Sequence, residues 1–118
     1  MLQKHIERCG KAAKDNGWHD YYHQLLPETP EARDHVITKL ALISSEVSEA
    51  IEEIRKGVPL KDVYYSEGNK PEGFSTELVD ILIRTFDLAY MLGVSLDTIY
   101  EEKLKFNESR GYKHGKEV

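Results

Sequence analysis

Apolar residues recur every three or four positions at Val36, Leu40, Ile43, Val47, Ala50 and Ile54, the period of one face of an α-helix. Thr29-Pro30 marks its start, with Thr as the cap and Pro at the first helical position, and Gly57 stops it after Lys56. A second apolar run, from Leu78 to Leu92, is so dense that it leaves almost no polar face. Ser75 is expected to cap this helix and Gly93 to close it. A helix that is apolar nearly all round is usually surrounded by protein. Three other helices in a chain of 118 residues would hardly cover it, so a homo-oligomer, dimer or tetramer, is expected. Residues 2 to about 16 read as a further helix that ends at Asn16-Gly17. Ser95 opens a last one, which reaches about Arg110.

The connections carry their own signals. Residues 17–28 are polar and aromatic, with Trp18, His19, Tyr21, Tyr22 and His23. Residues 57–74 have no helical period and contain Gly57, Pro59, Gly68, Pro71 and Gly73. So long a connection in so small a domain is often a lid or a contact arm. The only hint of a strand is at Val63 to Tyr65. The pattern predicts an all-α, four-helix bundle-like single domain over 1–118.

Composition narrows the function. A formal charge of −5 lacks the cationic surplus that binding a nucleic-acid polymer needs. A single Cys9 rules out an internal disulfide framework and fits a reducing compartment. No apolar stretch approaches the roughly 20 residues of a membrane span. Lys4, His5, Glu7 and Arg8 in the first turns do not read as a signal peptide, so the expected location is cytoplasmic.

Chemistry enters with two acidic pairs of equal spacing. Glu46 and Glu49 lie on the long amphipathic helix, Glu77 and Asp80 on the apolar one. Residues three apart share a helix face, so each pair presents two carboxylates side by side. If the two helices face each other, four carboxylates converge, and like charges that close do not all stay ionised without a cation. Mg²⁺, or Mn²⁺, takes such oxygen ligands and leaves positions open for phosphates. The plainer alternatives are a solvated face for Glu46, Glu49, Glu52 and Glu53, and an intrahelical pair of Asp80 with Arg84. Neither accounts for Glu77 or for the matched spacing. A di-iron bundle would need Glu-x-x-His motifs, and no Glu here has a His three residues on.

Lys103, Asn107 and Arg110 form one stripe of the last helix, and Lys113, His114 and Lys116 carry positive charge into the tail. Lys and Arg suit phosphate oxygens, and Asn can read a sugar hydroxyl or a base edge. Basic residues also favour helix C-termini through the dipole alone. Trp18 either stacks a base or anchors the first helix. His19 and His23 are expected to be structural.

Together these residues resemble the MazG-like family of all-α nucleoside triphosphate pyrophosphohydrolases. The family's Glu-x-x-Glu, spacer, Glu-x-x-Asp signature reads here as Glu46-Val47-Ser48-Glu49 and Glu77-Leu78-Val79-Asp80. The ending EKLKFNESRGYKHGK is similar to the family's Lys-x-x-x-Asn-x-x-Arg stretch and its Tyr-x-His-Gly-Lys-like tail, and GWHD at 17–20 to its Gly-Trp segment. The resemblance runs over most of residues 10–116. It implies Mg²⁺-dependent hydrolysis of a (deoxy)nucleoside triphosphate between the α and β phosphates, giving monophosphate and pyrophosphate. It implies Glu46, Glu49, Glu77 and Asp80 as metal ligands, with one of them or Glu53 acting on the attacking water. Lys103 and Arg110 would hold phosphates, Asn107 would sit near sugar or base, and Trp18, Tyr112, His114 and Lys116 complete the substrate set. The competing expectation is a catalytically silent helical oligomerisation module that keeps the acidic pairs as a structural metal site.

Overall fold

The computed structural model describes residues 1–111, and those residues are mostly helical. Tyr112, Lys113, His114 and Lys116 lie outside the described residues. The chain runs α1 (Leu2–Asp15), α2 (Asp20–His23), α3 (Pro30–Arg55), β1 (Tyr64–Ser66), β2 (Lys70–Glu72), α4 (Phe74–Leu92) and α5 (Leu96–Ser109). The expected helices are all present. α3 starts as read: Pro30 is its first residue, and the Thr29 hydroxyl accepts the Ala32 amide. Asn16 ends α1, and Gly17 follows with φ +85°, the left-handed conformation that Gly takes without a steric cost.

Several details differ from the sequence reading. The 17–28 connection winds a short helix, α2, through its aromatic residues. Residues 57–74 are not structureless: β1 and β2 form an antiparallel hairpin with Tyr64 opposite Glu72 and Ser66 opposite Lys70. The hint of a strand at Val63 to Tyr65 overlaps β1, whereas β2 gave no alternation, because Pro71 and the Gly68-Asn69 bend break any period. α4 begins at Phe74 with Gly73 at its cap, and the Ser75 hydroxyl instead donates to the Leu60 carbonyl. Gly73 is required there. Its φ is +121°, and a Cβ would stand 2.6 Å from the Asp62 carbonyl oxygen. Ser95 occupies the cap position of α5 but makes no side-chain capping bond. Asp97, in the first turn of α5, ties the start of that helix to the start of α1, accepting from the Leu2 amide at 2.6 Å and the Gln3 amide at 3.2 Å.

α4 is the central helix, with α3 packed along one flank and α1 along another. The α1–α4 approach is close because Gly10 faces Tyr90: a Cβ on Gly10 would lie 2.0 Å from the ring. The buried apolar set is small, namely Ile6, Ala32, Ala50, Ala89 and Met91. α4 is therefore not surrounded within its own chain, and Leu78, Val79, Leu82 and Ile83 remain about half exposed. α5 leans mainly on α1 rather than completing a four-helix bundle, and it contributes no buried residue. No helix among the described residues is long and apolar enough to cross a membrane.

Candidate functional site

The acidic residues do converge. Glu46 from α3 and Glu77 and Asp80 from α4 each offer a carboxylate oxygen within 4.8 Å of the others. At 100° per residue, the order Glu77, Asp80, Arg84, Asp87 keeps these four α4 side chains within roughly an 80° arc. Glu46 meets them from α3. Glu77 is buried although it is a carboxylic acid.

That burial has an electrostatic consequence. The Glu77 carboxyl is pushed up to about 7, first by desolvation, then by its hydrogen bond with Glu46 and by the negative charges of Asp80, Glu46 and Glu49. Asp80 is also raised, by burial and then by the Glu46 charge, with Arg84 and Lys70 among the groups that oppose the rise. Carboxylates this close resist ionising together. The three carboxylates could hold a hard divalent cation, whose charge would release the protons and whose preference is for oxygen donors.

One cation stands in the site already. The Arg84 Nε donates to Glu46 Oε1 at 2.9 Å, bridging α4 to α3. The plainer alternative, an intrahelical pair of Arg84 with Asp80, is not what forms: Arg84 crosses to the neighbouring helix instead. Asp87 is taken by His19, whose Nε2 donates to Asp87 Oδ1. His19 is fully buried, and its Nδ1 has no hydrogen-bond partner among the described residues. The structural role expected for His19 thus takes a definite form: it pins the 17–28 segment to α4.

A cavity of about 400 Å³ opens directly on this cluster. Glu46, Asp80, Arg84 and Asp87 form its polar side. Ala12, Ala13 and Ile83 form an apolar one, with Trp18, Asn16 and Cys9 completing the wall. Trp18 is 66% exposed, so it borders the cavity with most of its ring in solvent. Lys39 of α3 approaches it, with Nζ 6.0 Å from the ring centroid and 3.5 Å from the Trp18 carbonyl oxygen. The Cys9 thiol is pushed up by burial and by the Asp87 charge, which keeps it in the poorly nucleophilic thiol form.

The other expected site residues stand elsewhere. Glu49 is exposed on α3 and is not part of the Glu46, Glu77, Asp80 group, though its charge acts on Glu77. Glu53 is buried and occupied: the Tyr64 hydroxyl donates to its carboxylate at 2.9 Å and Lys56 pairs with it at 3.4 Å. In this arrangement Glu53 anchors the β1–β2 hairpin to α3. Lys103 and Asn107 line a separate groove with Leu82, Thr85 and Phe86 of α4. Those three α4 residues lie roughly opposite Glu77, Asp80, Arg84 and Asp87 around the helix. Within one chain, Lys103 and Asn107 are thus behind α4, and neither they nor Arg110 line the acidic cavity. Lys103 and Arg110 both rest near the Phe106 ring, at 5.2 and 5.8 Å from its centroid.

Sequence reasoning missed Arg84, Asp87 and Lys39 as members of the site. For the first two a signal was available, since they continue the Glu77, Asp80 stripe at three- and four-residue steps. Lys39 lies seven residues before Glu46, two turns along the same face. Comparisons with protein-family models, with curated proteins and with solved structures return no match to this chain.

Proposed function

We propose that the chain is a divalent-metal-dependent pyrophosphohydrolase that cleaves a (deoxy)nucleoside triphosphate between its α and β phosphates. The reading rests on the convergence of Glu46, Glu77 and Asp80 from two helices, beside a cavity of about 400 Å³. The sequence resemblance to MazG-like enzymes supplies the reaction, and the three carboxylates supply a donor set that fits Mg²⁺ or Mn²⁺. Glu46, Glu77 and Asp80 would hold the ion, with Glu49 one turn away on the same face of α3. When bound, such an ion lowers the pKa of a coordinated water and neutralises phosphate charge.

The chain's own groups perform the rest. Arg84, already within the cavity, offers a guanidinium to phosphate oxygens in exchange for Glu46. Lys39 and the exposed Trp18 border the mouth, where a cation and an aromatic face suit a phosphate and a base. His19 fixes Asp87 and so the shape of the wall. Positioning and electrostatics are sufficient for phosphate chemistry, and no covalent nucleophile is needed.

The test is product analysis of the purified protein with Mg²⁺ against a panel of NTPs and dNTPs. Monophosphate and pyrophosphate, without diphosphate or free phosphate, are the expected products. Diphosphate and orthophosphate would place cleavage at the β–γ bond and overturn the reading. A second reading, a helical module in which the acidic cluster is only a metal staple, is favoured by one observation: Lys103 and Asn107 face away from the cluster within the chain. It predicts metal-dependent stabilisation with no turnover of any nucleotide.

A further inference from the structure

The cavity on the acidic cluster is polar at two levels, and the carboxylates that would hold an ion occupy only one of them. Asp80 and Asp87 both line it, two turns apart on α4. At 1.5 Å per residue their separation is about 10 Å along the helix, comparable with the reach from the α-phosphate of a nucleotide to the far edge of its base. Arg84 stands between them, toward the phosphate end. A nucleotide whose phosphates meet an ion on Glu46, Glu77 and Asp80 therefore brings its base to the level of Asp87.

What a base meets there is an array of acceptors. Asp87 Oδ1 accepts from His19 Nε2, and no hydrogen bond from the described residues reaches Oδ2. The Asp87 side chain keeps 19% of its surface exposed, so it is held at the cavity wall and still open to a ligand. His19, fully buried, fixes the carboxylate from behind. Asn16 spends its amide nitrogen on the Ala12 carbonyl at 2.9 Å, which leaves its oxygen to the same cavity. Ala12, Ala13 and Ile83 supply the apolar surface that suits the faces of a ring.

Acceptors fixed in place discriminate between bases by their edges. Cytosine, adenine and guanine each carry an exocyclic amino group that donates hydrogen bonds. Thymine and uracil carry a carbonyl oxygen where cytosine has its amino group. An oxygen set against a carboxylate is repelled and leaves both groups unpaired.

We propose that Asp87 reads the base, and that the site takes nucleotides whose base carries an exocyclic amino group in preference to those of thymine and uracil. The inference rests on the reading of the cavity as a nucleotide site, but it concerns recognition and not bond cleavage.

The test is calorimetric binding, with Mg²⁺, of the uncleavable α,β-imido analogues of dCTP and dUTP to the full chain and to Asp87→Asn. The two ligands differ only at the pairing edge of the base. The wild type is expected to bind the cytosine analogue at least about tenfold more tightly, the discrimination of one hydrogen bond to a charged group. In Asp87→Asn, His19 keeps the amide oxygen and the amide nitrogen turns to the cavity, a donor that suits O4 of uracil. The preference is then expected to fall below about threefold or to invert. Equal affinities in the wild type, or tighter binding of the uracil analogue, overturn the inference whether or not the variant folds. So does a cytosine preference that survives in Asp87→Asn, or failure of both analogues to bind. The catalytic reading fails separately: cytosine-selective binding with no hydrolysis of any nucleoside triphosphate would end that reading and leave Asp87 as the base reader.

Discussion

The two sides of α4 are built from opposite materials. One side gathers Glu77, Asp80, Arg84 and Asp87 against Glu46 and His19, and its groups are partly buried and paired across elements. The other leaves Leu78 exposed and presents Leu82 and Phe86 to an open apolar groove, with Lys103 and Asn107 on its far wall. A helix that looked apolar all round in sequence is thus two-faced. Its polar side keeps a cation-shaped demand that one chain satisfies only in part, through Arg84. Its apolar side is left about half exposed by the described residues. The contrast sets a polar, charge-paired face and an apolar face on a single helix, and substitutions on the two sides should therefore fail differently.

The largest expected effect is on the polar side. Asp80→Asn removes a ligand charge but almost no volume, so it should lower turnover by a factor on the order of 10² or more while the circular-dichroism spectrum is unchanged. Wild-type kcat in that variant would take Asp80 out of the metal site. The same substitution should leave the oligomeric mass untouched, because Asp80 lies on the side away from the apolar face.

The fold was legible wherever spacing encodes a face. The period from Val36 to Ile54 predicted α3, and of the four carboxylates expected to converge if α3 and α4 faced each other, Glu46, Glu77 and Asp80 do while Glu49 stays exposed. What spacing does not encode is rotation between helices. The Lys103, Asn107, Arg110 stripe was read as a face of α5, but which side of α4 that face would meet depends on packing that no local pattern specifies. The same limit applies to Glu53: its register on α3 is that of a site residue, and only the hairpin's return brings Tyr64 onto it. The His19–Asp87 pair joins residues 68 apart, one of them in a segment without periodicity, so no sequence signal pointed to it.

An intermediate effect distinguishes the two cationic groups. Arg84→Gln should raise KM for the nucleotide about tenfold, the loss expected for one charge-assisted contact of about 1.5 kcal/mol. Lys103→Ala should change KM less than about threefold, since Lys103 stands behind α4 in its own chain. Steady-state kinetics on both variants decides the matter. A larger KM effect for Lys103→Ala would mean that α5 of a second copy reaches the acidic cavity, and the two sides of α4 would then be joined functionally.

The smallest effect is on stability, and its sign is fixed by Glu77. In the metal-free protein this carboxyl sits at about 7, raised by burial and by its acidic neighbours from an ordinary value of 4.5. Between those two values the folded chain holds a proton that the unfolded chain has lost, so stability must fall as pH rises through that window. Below it both states are protonated; above it both are ionised, and the full penalty of the buried charge remains. Thermal unfolding in chelator should therefore show Tm falling from pH 5 to pH 8, and Glu77→Gln, which cannot ionise, should flatten that contribution. Mn²⁺ should act in the opposite sense, raising Tm more at pH 8 than at pH 5, because it binds only the ionised cluster of the folded state. Equal stabilisation at both pH values would mean that the ion binds away from Glu77. A Tm that ignored Mn²⁺ altogether would leave Arg84 as the cluster's paired counter-charge, and would make the polar side of α4 a structural ion pair and not a metal centre.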